Sequence, residues 1–285
     1  MTPLAFRIVN VFTRGASLTG NPLCVFEDGR GLDDATMQAL ARQFNLSETT
    51  FVLPSDRATA RVRIFTPSYE MPFAGHPTLG TAHVVRSLLG TADAITLEMK
   101  AGVIPVTAAG DRWTLSANAP RWREVGEPRA ELADILGLAQ GDIAERPLWV
   151  NAGKEQLMVP VTSVEAVRRA RPRPDAFSRL KSEDGQSMAY VFADEGDATA
   201  SVVSRFFFPS GPAILEDPAT GSACANLGGW FRATRPGSAL SRTVSQGDEV
   251  RRPSTLFLAV TPDAIRVGGD VVELARGTLG LAGTT

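Results

Sequence analysis

Two copies of one short pattern constrain the fold of this chain more than any other feature of its sequence. The string Arg63-Ile-Phe-Thr-Pro-Ser leads to Gly75-His-Pro-Thr-Leu-Gly-Thr-Ala, and Arg205-Phe-Phe-Phe-Pro-Ser leads to Glu216-Asp-Pro-Ala-Thr-Gly-Ser-Ala. Each copy contains an apolar strand, a Pro-Ser turn, a short loop, and a polar residue before a proline that opens a helix of small residues. The copies lie roughly half a chain length apart, which predicts a duplicated domain. Two half-sites that face each other can act on both faces of one small molecule.

Length and composition are those of a globular protein with more than one domain. The 285 residues predict about two domains of ordinary size. With 44% apolar and 21% charged residues, the chain can bury a sizeable core. A formal net charge of −2 without long runs of like charge argues against nucleic-acid binding. No apolar stretch is long enough for a membrane helix and no signal-peptide pattern is present, so we expect a cytoplasmic protein.

The cysteines and histidines do not suggest a disulfide framework or a metal site. Cys24 and Cys224 are the only cysteines, which are too few for a disulfide scaffold. The only histidines, His76 and His83, lack a neighbouring set of Cys or Asp ligands. We therefore predict that the protein holds no structural metal.

Short strands dominate the chain, and one substantial helix is predicted in each half. The two repeat helices are expected at 76–89 and 219–231, and neither has a strongly charged face. Such a helix is typically buried on most sides. We predict an α+β fold of two similar domains, each with a curled, mostly antiparallel sheet around a central helix, and a ligand cleft between them.

The domain limits follow from the position of the repeats. The first domain is expected to span 1–118 and to be completed by a strand within 269–285. The second is expected to span 119–268, entered through a connection at 120–128 that begins and ends with proline.

The loop before each repeat helix suits an anion. A helix N-terminus offers unpaired backbone N–H groups and a partial positive charge. An alternative that needs no ligand is that Asp217 is an ordinary N-cap and Gly75 a turn residue. Two copies, each with an ionisable residue directly before the proline (His76 and Asp217), favour a carboxylate-binding site between the domains.

Glu48 is the candidate for moving protons. It is the one acid in the otherwise uncharged segment 44–54, on a predicted strand. A general acid/base needs such a group in a closed site, with partners that tune it, and His76 and Asp217 can serve as those partners. The alternative is an edge-strand glutamate that points to water. His83 is expected to pack in the helix, because it lies about two turns beyond the loop.

Cys224 has a less specific interpretation. It follows Ser222 near a helix start, where a thiolate would be stabilised. A two-thiol racemase needs a second cysteine, and Cys24 lies in an apolar strand. We therefore expect Cys224 to pack in the core.

Four segments together resemble the PhzF family of phenazine-biosynthesis-like isomerases, which is related in fold to diaminopimelate epimerase. The segments are Gly20-Asn-Pro-Leu-Cys-Val-Phe, Leu46-Ser-Glu-Thr-Thr-Phe-Val, Pro72-Phe-Ala-Gly-His-Pro-Thr-Leu-Gly and Glu216-Asp-Pro-Ala-Thr-Gly-Ser-Ala. The resemblance continues to Gln246-Gly and Arg252-Pro-Ser, and so covers almost the whole chain.

The resemblance implies the site residues and their roles. Glu48 matches the family's acid/base glutamate, and His76 and Asp217 match its partners facing the substrate. The substrate-binding loops are expected to comprise Asn21, Gly75, Pro77, Thr78, Gly221, Ser222 and Ala223. The family's members are commonly homodimers and use neither a metal nor an organic cofactor.

The sequence thus predicts a cofactor-independent isomerase that acts on a small carboxylate by acid/base proton transfer. The resemblance implies isomerisation of a dihydro-hydroxyanthranilate. Two alternatives stay open at this point: a racemase or epimerase of an amino-acid-like substrate, and a metabolite-binding protein without catalysis.

Overall fold

The computed structural model describes residues 3–281, and within that range the chain divides into two compact units. Unit 1 comprises residues 3–115 and 268–281, and unit 2 comprises Ser116–Val267. That units of this kind fold as separate domains, with limits at 118 and 268, stays a prediction.

Unit 1 is built from short strands and two helices. In chain order its elements are β1 (Leu4–Val11), β2 (Asn21–Phe26), α1 (Asp34–Phe44), β3 (Glu48–Leu53), β4 (Ala60–Phe65), β5 (Glu70–Met71), α2 (Gly75–Leu89), β6 (Ala94–Met99), β7 (Gly102–Ala109) and β8 (Arg112–Ser116).

The remaining elements belong to unit 2, except that most of the last strand lies in unit 1. They are β9 (Arg121–Glu124), α3 (Arg129–Leu136), β10 (Leu148–Asn151), β11 (Glu155–Pro160), α4 (Val164–Arg169), α5 (Pro174–Phe177), β12 (Ala189–Asp194), β13 (Ser201–Ser210), β14 (Ala213–Asp217), α6 (Gly221–Thr234), β15 (Leu240–Gln246), β16 (Ser254–Val260) and β17 (Ile265–Leu279). A short 3₁₀ turn, Gln140–Asp142, follows α3, and β17 runs on into the residues of unit 1.

The strands of the two units pair in the same order. In unit 1, β1 and β2 are antiparallel, β2 and β3 parallel, β3 antiparallel to β4, β4 antiparallel to β5 and parallel to β6, and β6 antiparallel to β7. In unit 2, the strands β10 to β16 repeat this order of directions. Strand β1 also pairs along its length with β17, from Leu4 opposite Leu279 to Val11 opposite Val271.

One buried helix packs against the sheet in each unit. Helix α2 contacts β1, β2 and β3, and α6 contacts β10, β11 and β16. Close packing needs glycine on both helices: a Cβ at Gly80 would lie 2.7 Å from the Leu23 side chain, and one at Gly228 would lie 2.6 Å from Ile265. The helices can therefore approach the strands only because small residues face them.

The second repeat helix does not begin where the sequence predicted. Helix α6 begins at Gly221 rather than at 219, after Thr220 as its N-cap, whereas Asp217 ends β14. The residue before a proline favours extended backbone, which keeps Asp217 in the strand. Helix α2 instead begins at Gly75 and includes Pro77 as its third residue.

The two halves of the repeat therefore align differently from the prediction. In the hairpin register, Met71 pairs with Ile64 and Asp217 pairs with Phe206. Counting from the glycine that begins each helix, His76 corresponds to Ser222. The predicted equivalence of His76 and Asp217 is wrong, and so is the alternative in which Asp217 is the N-cap.

The predicted connection at 120–128 also differs from the structure, because it contains strand β9. This strand pairs with β10, from Arg121 opposite Asn151 to Glu124 opposite Leu148. Its side chains are mostly exposed, including Trp122. Backbone hydrogen bonds rather than an apolar face hold it, so the sequence carries little signal for it.

Candidate functional site

In unit 1, an imidazole and a carboxylate meet at the start of α2. His76 is the second residue of the helix and is 5% exposed. Its Nδ1 lies 3.1 Å from Glu48 Oε2, and its Nε2 lies 3.3 Å from the Pro22 carbonyl oxygen. The glutamate side chain is 17% exposed, which does not fit an edge-strand residue pointing to water.

Strand order explains why these groups meet. Glu48 is the first residue of β3, and the parallel register places it opposite Leu23 on β2. Pro22 is therefore at the same end of the strand pair as Glu48. Helix α2, packed on both strands, begins there and adds His76.

The Pro22 carbonyl fixes which nitrogen of His76 carries hydrogen. A carbonyl oxygen only accepts hydrogen bonds, so Nε2 is the donor. In the neutral ring, Nδ1 then turns a lone pair toward Glu48. Oε2 is buried without a hydrogen-bond partner in residues 3–281, although His76 Nδ1 lies 3.1 Å away. A buried acceptor is costly to leave unpaired, so this oxygen can accept a hydrogen bond from a ligand.

Among the other predicted site residues of unit 1, Asn21 and Thr78 make hydrogen bonds within the protein. Asn21 begins β2, is 1% exposed, and accepts a hydrogen bond from the Ser47 hydroxyl. The Thr78 hydroxyl donates to the Ala74 carbonyl at 2.6 Å, so it serves the helix. Pro77 is buried and has no N–H to offer. The N-cap residue Ala74 makes no side-chain capping hydrogen bond, and the N–H groups of Gly75 and His76 lie at the positive end of α2.

His83 and the two cysteines serve packing rather than chemistry. The His83 Nδ1 accepts a hydrogen bond from Trp113 Nε1, and burial lowers the pKa of the imidazole. Cys24 and Cys224 are fully buried, and burial raises the pKa of both thiols well above the ordinary range. Neither thiol can therefore act as a thiolate base at neutral pH.

In unit 2, Gln246 holds the segment that leads into α6. Its Nε2 donates to the Asp217 carbonyl at 2.8 Å and to Thr220 Oγ1 at 3.0 Å. The Thr220 hydroxyl in turn donates to the Asp217 carboxylate. Gln246 is 1% exposed, so these bonds are shielded from water. The carboxylate of Asp217 is thereby held at a defined place before the helix.

Gly247 allows the segment that leads into α6 to pack closely against it at Pro218. Its φ is +82°, and a Cβ there would lie 2.3 Å from the Arg252 carbonyl oxygen and 2.5 Å from that of Pro218. Only glycine tolerates both the left-handed backbone and this approach.

Ser222, the second residue of α6, has its own support. Its hydroxyl oxygen accepts a hydrogen bond from Gln156 Nε2 at 3.0 Å, and Gln156 Oε1 accepts one from Asn226 Nδ2 at 2.8 Å. Gly221 and Ala223 flank Ser222 in the first turn. The side chain of the N-cap residue Thr220 makes no capping hydrogen bond, and the first N–H groups of the helix are at the positive end of the dipole.

Sequence reasoning missed the three buried amides of unit 2. Asn226 interrupts an apolar helix, whereas Gln156 follows Lys154 and Glu155 at the start of β11 and Gln246 ends a strand of mixed polarity; each is within 1% of complete burial. A polar residue inside an apolar run could have pointed to Asn226, because buried polar groups are nearly always hydrogen-bonded. Local polarity gives no comparable signal for the two glutamines.

Residues 3–281 contain no group of three or more His, Cys, Asp or Glu side chains that could hold a metal ion. In that same range, no helix is both long enough and apolar enough to span a bilayer.

Comparisons with known proteins identify the family of this chain. The family model for phenazine biosynthesis-like proteins (PhzC-PhzF) matches residues 9–277. An uncharacterised isomerase of Pasteurella multocida is 38% identical over 98% of this chain and 95% of its own length. A trans-2,3-dihydro-3-hydroxyanthranilate isomerase of Pseudomonas fluorescens is 33% identical over 95% of this chain and 98% of its own.

Solved structures show the same fold. A PhzF-family phenazine biosynthesis protein of Bacillus anthracis superposes with a TM-score of 0.88 at 26% identity, over 99% of this chain and 100% of its own. A hydroxyproline epimerase of Agrobacterium vitis superposes with a TM-score of 0.59 at 13% identity, over 97% and 92% of the chains, a likeness of fold alone. The predicted resemblance is confirmed: this chain belongs to the PhzF family of phenazine-biosynthesis-like isomerases.

Proposed function

We propose that this isomerase moves a proton within a small carboxylate substrate and that Glu48 is its general acid/base. The buried Glu48 Oε2, without a hydrogen-bond partner in the described chain and 3.1 Å from His76 Nδ1, carries the proposal. This oxygen is available as an acceptor for a hydrogen of the substrate. Catalytic hydrogen bonds are often misaligned without substrate and tighten when it binds.

The proposed step conserves protons. Glu48 takes a proton from one ring carbon, the electron pair shifts through the conjugated system, and the proton returns to another ring carbon. The resulting enol becomes the ketone. His76, with Nε2 held by the Pro22 carbonyl, offers Nδ1 as a place for the proton while it is shared with Glu48. No net proton is gained or lost by the enzyme.

We propose a dihydro-hydroxyanthranilate or a close cyclic relative as the substrate. The name of the Pseudomonas fluorescens relative supports this class. The helix start in each unit, where the N-cap residue makes no side-chain capping hydrogen bond, supports a carboxylate, since backbone N–H groups and the helix dipole both favour an anion. That Asp217, Gly221, Ser222 and Ala223 contact the same substrate as Glu48 and His76, in a cleft between two domains, is part of the proposal and comes from the duplicated sequence.

Three further expectations accompany the proposal: a homodimer, a cytoplasmic location, and turnover without a metal or organic cofactor. They derive from the sequence and the family resemblance.

A racemase or epimerase and a binding protein without catalysis are the two alternatives to the proposal. A racemase that uses two thiols has no support, because both cysteines are buried with raised thiol pKa values. A binding protein without catalysis would bind the substrate and leave it unchanged.

The test is turnover of trans-2,3-dihydro-3-hydroxyanthranilate by wild type and by Glu48→Gln. The variant keeps the shape but removes the proton acceptor, so kcat/KM should fall by about 10²–10⁴-fold. Glu98→Gln is the matched control, because Glu98 lies on β6 of the same unit with 21% exposure and should be dispensable. Equal turnover by Glu48→Gln and wild type would refute the assignment, and tight binding without turnover by wild type would establish the binding protein.

A further inference from the structure

Buried side chains behind the start of α6 form a chain of hydrogen bonds whose direction is set by backbone groups. The Ala152 N–H donates to Asn226 Oδ1 at 2.7 Å, and Asn226 Nδ2 donates to the Lys154 carbonyl at 2.8 Å. A backbone N–H can only donate and a carbonyl can only accept. The amide of Asn226 therefore has one possible orientation.

This orientation is transmitted to Ser222. Because Asn226 Nδ2 also donates to Gln156 Oε1, the nitrogen of Gln156 faces Ser222 and donates to its Oγ. Ser222 Oγ is thus an acceptor on that side, and its own hydrogen must point elsewhere. Within residues 3–281, no group accepts that hydrogen.

Burial shows which end of the chain meets a ligand. Asn226 is 0% exposed and Gln156 is 1% exposed, so neither can contact a substrate from solvent. Ser222 is half-buried in the first turn of α6. The Ser222 hydroxyl is therefore the exposed end of a series of hydrogen bonds that begins at the backbone of residues 152–154.

We propose that Gln156 and Asn226 are positioning residues that present the Ser222 hydroxyl as a hydrogen-bond donor to an acceptor oxygen of the ligand. The ligand's identity rests on the proposed function, whereas the direction of the donor does not. A hydroxyl whose lone pair is already engaged has fewer orientations to lose on binding. It also disfavours a ligand that offers a donor at this point, because two hydrogens would then meet.

The first test is a double-mutant cycle on binding of 3-hydroxyanthranilate, which keeps the carboxylate, amine and hydroxyl of the proposed substrate in a stable aromatic ring. Ser222→Ala should weaken binding about 10-fold, the effect of a hydrogen bond to a charged acceptor. Gln156→Met, which is uncharged and similar in size, should weaken it about fivefold by releasing the hydroxyl.

The readout is the coupling between the two changes. If Gln156 acts through Ser222, Gln156→Met should cost less than about twofold when Ser222 is already alanine. A merely structural glutamine would weaken binding by the same factor in both backgrounds, and that result would overturn the proposal.

The second test needs neither a ligand nor a variant. Neutron diffraction from deuterated wild-type crystals should show a deuteron on Gln156 Nε2 directed at Ser222 Oγ, and the Ser222 deuteron directed away from Gln156. A Gln156 oxygen facing Ser222, with the serine deuteron pointing at it, would overturn the proposal even in an active enzyme. Conversely, the predicted deuteron positions in a protein that does not turn over the dihydro compound would refute the proposed function alone.

Discussion

Units 1 and 2 share an order of strand pairing but differ in the chemistry that each holds at its helix start. Each unit leads into its helix through a hairpin with an Arg–Glu pair, Arg63 with Glu70 in unit 1 and Arg205 with Glu216 in unit 2. At the second helical residue, however, unit 1 has His76 beside Glu48, and unit 2 has Ser222 supported by neutral amides. The two units share the order of strand pairing, and a few side chains place an imidazole and a carboxylate at one helix start and hydrogen-bonded neutral groups at the other.

The two units also differ in the strand that corresponds to β3, which carries Glu48. Strand β3 begins with Glu48, whereas β12, which takes the same place in the pairing order, begins with Ala189 and has no carboxylate before Asp194. Unit 2 therefore has no equivalent of the proposed base. Similar helix starts in the two units therefore carry different side-chain chemistry, and the neighbouring strand decides whether a carboxylate is present.

The largest expected effect is the difference between the two Arg–Glu pairs in their contribution to the free energy of unfolding. Arg205 and Glu216 are 7% and 6% exposed, and Arg205 also donates to carbonyls at the end of α4. Arg205→Met leaves a buried carboxylate without its partner, so the free energy of unfolding should fall by roughly 3–5 kcal/mol. The measurement is urea-induced unfolding followed by circular dichroism.

Arg63→Met is the matched variant in unit 1. Glu70 keeps Lys100, 2.6 Å away, so the loss of unfolding free energy should be only about 1 kcal/mol. Equal losses for the two variants would show that burial does not distinguish the hairpins.

The second residues of the two helices should affect different kinetic constants. On the proposed mechanism His76 shares the proton with Glu48, so His76→Asn should lower kcat by about 10²-fold. The proposed role of the Ser222 hydroxyl is to bind the substrate, so Ser222→Ala should instead raise KM by about 10-fold with a smaller change in kcat. Steady-state kinetics on both variants tests whether His76 affects mainly kcat and Ser222 mainly KM. A loss of kcat in Ser222→Ala as large as in His76→Asn would contradict this difference.

Substitution of Gly247 tests whether the close contact between Gly247 and Pro218 stabilises the fold. Gly247→Ala introduces strain at φ +82° and a clash with two carbonyl oxygens, so thermal unfolding should show a loss of about 2–4 kcal/mol. Gly185→Ala is the control, since φ there is +77° but a Cβ would meet open space. Its loss should be about 1 kcal/mol, and a similar loss at both positions would mean that the clash costs nothing.

The smallest effect concerns acid stability in unit 1. The hydrogen bond from Arg63 holds the pKa of Glu70 below its ordinary value of 4.5, with Lys100 adding to the effect. A lowered carboxyl pKa stabilises the fold above the ordinary value and loses that contribution as pH falls. Glu70→Gln should therefore flatten the acid limb of an unfolding-versus-pH curve by at most about 1 kcal/mol. A curve with the same slope as wild type would contradict this role.

Local sequence patterns predicted part of this structure well. The repeat predicted two buried helices and the apolar strand and Pro-Ser turn before each, because apolar periodicity and turn residues act over short distances. The segments predicted as short loops contain β5 and β14, the second strands of the two hairpins. The family resemblance named Glu48 and His76, which the structure places side by side although 28 residues separate them. Their contact depends on the parallel pairing of β2 with β3, a feature that periodicity alone does not reveal.

What the sequence could not predict involves long-range partners. Gln156 and Asn226 are 70 residues apart, and their bond exists only once β11 lies beneath α6. The equivalence of His76 and Asp217 failed for a related reason. Both precede a proline, but the hairpin register decides that Asp217 ends a strand while His76 lies within a helix.

Deuterium incorporation tests the role of Glu48 most directly. The proposed dihydro-hydroxyanthranilate substrate is incubated in D₂O with wild type, Glu48→Gln or Glu98→Gln, and proton NMR follows the ring positions. We expect wild type and Glu98→Gln to place deuterium in the ring as the substrate is consumed, and Glu48→Gln to do so about 10²–10⁴-fold more slowly. Deuterium incorporation by Glu48→Gln at the wild-type rate would contradict the claim that Glu48 moves the proton.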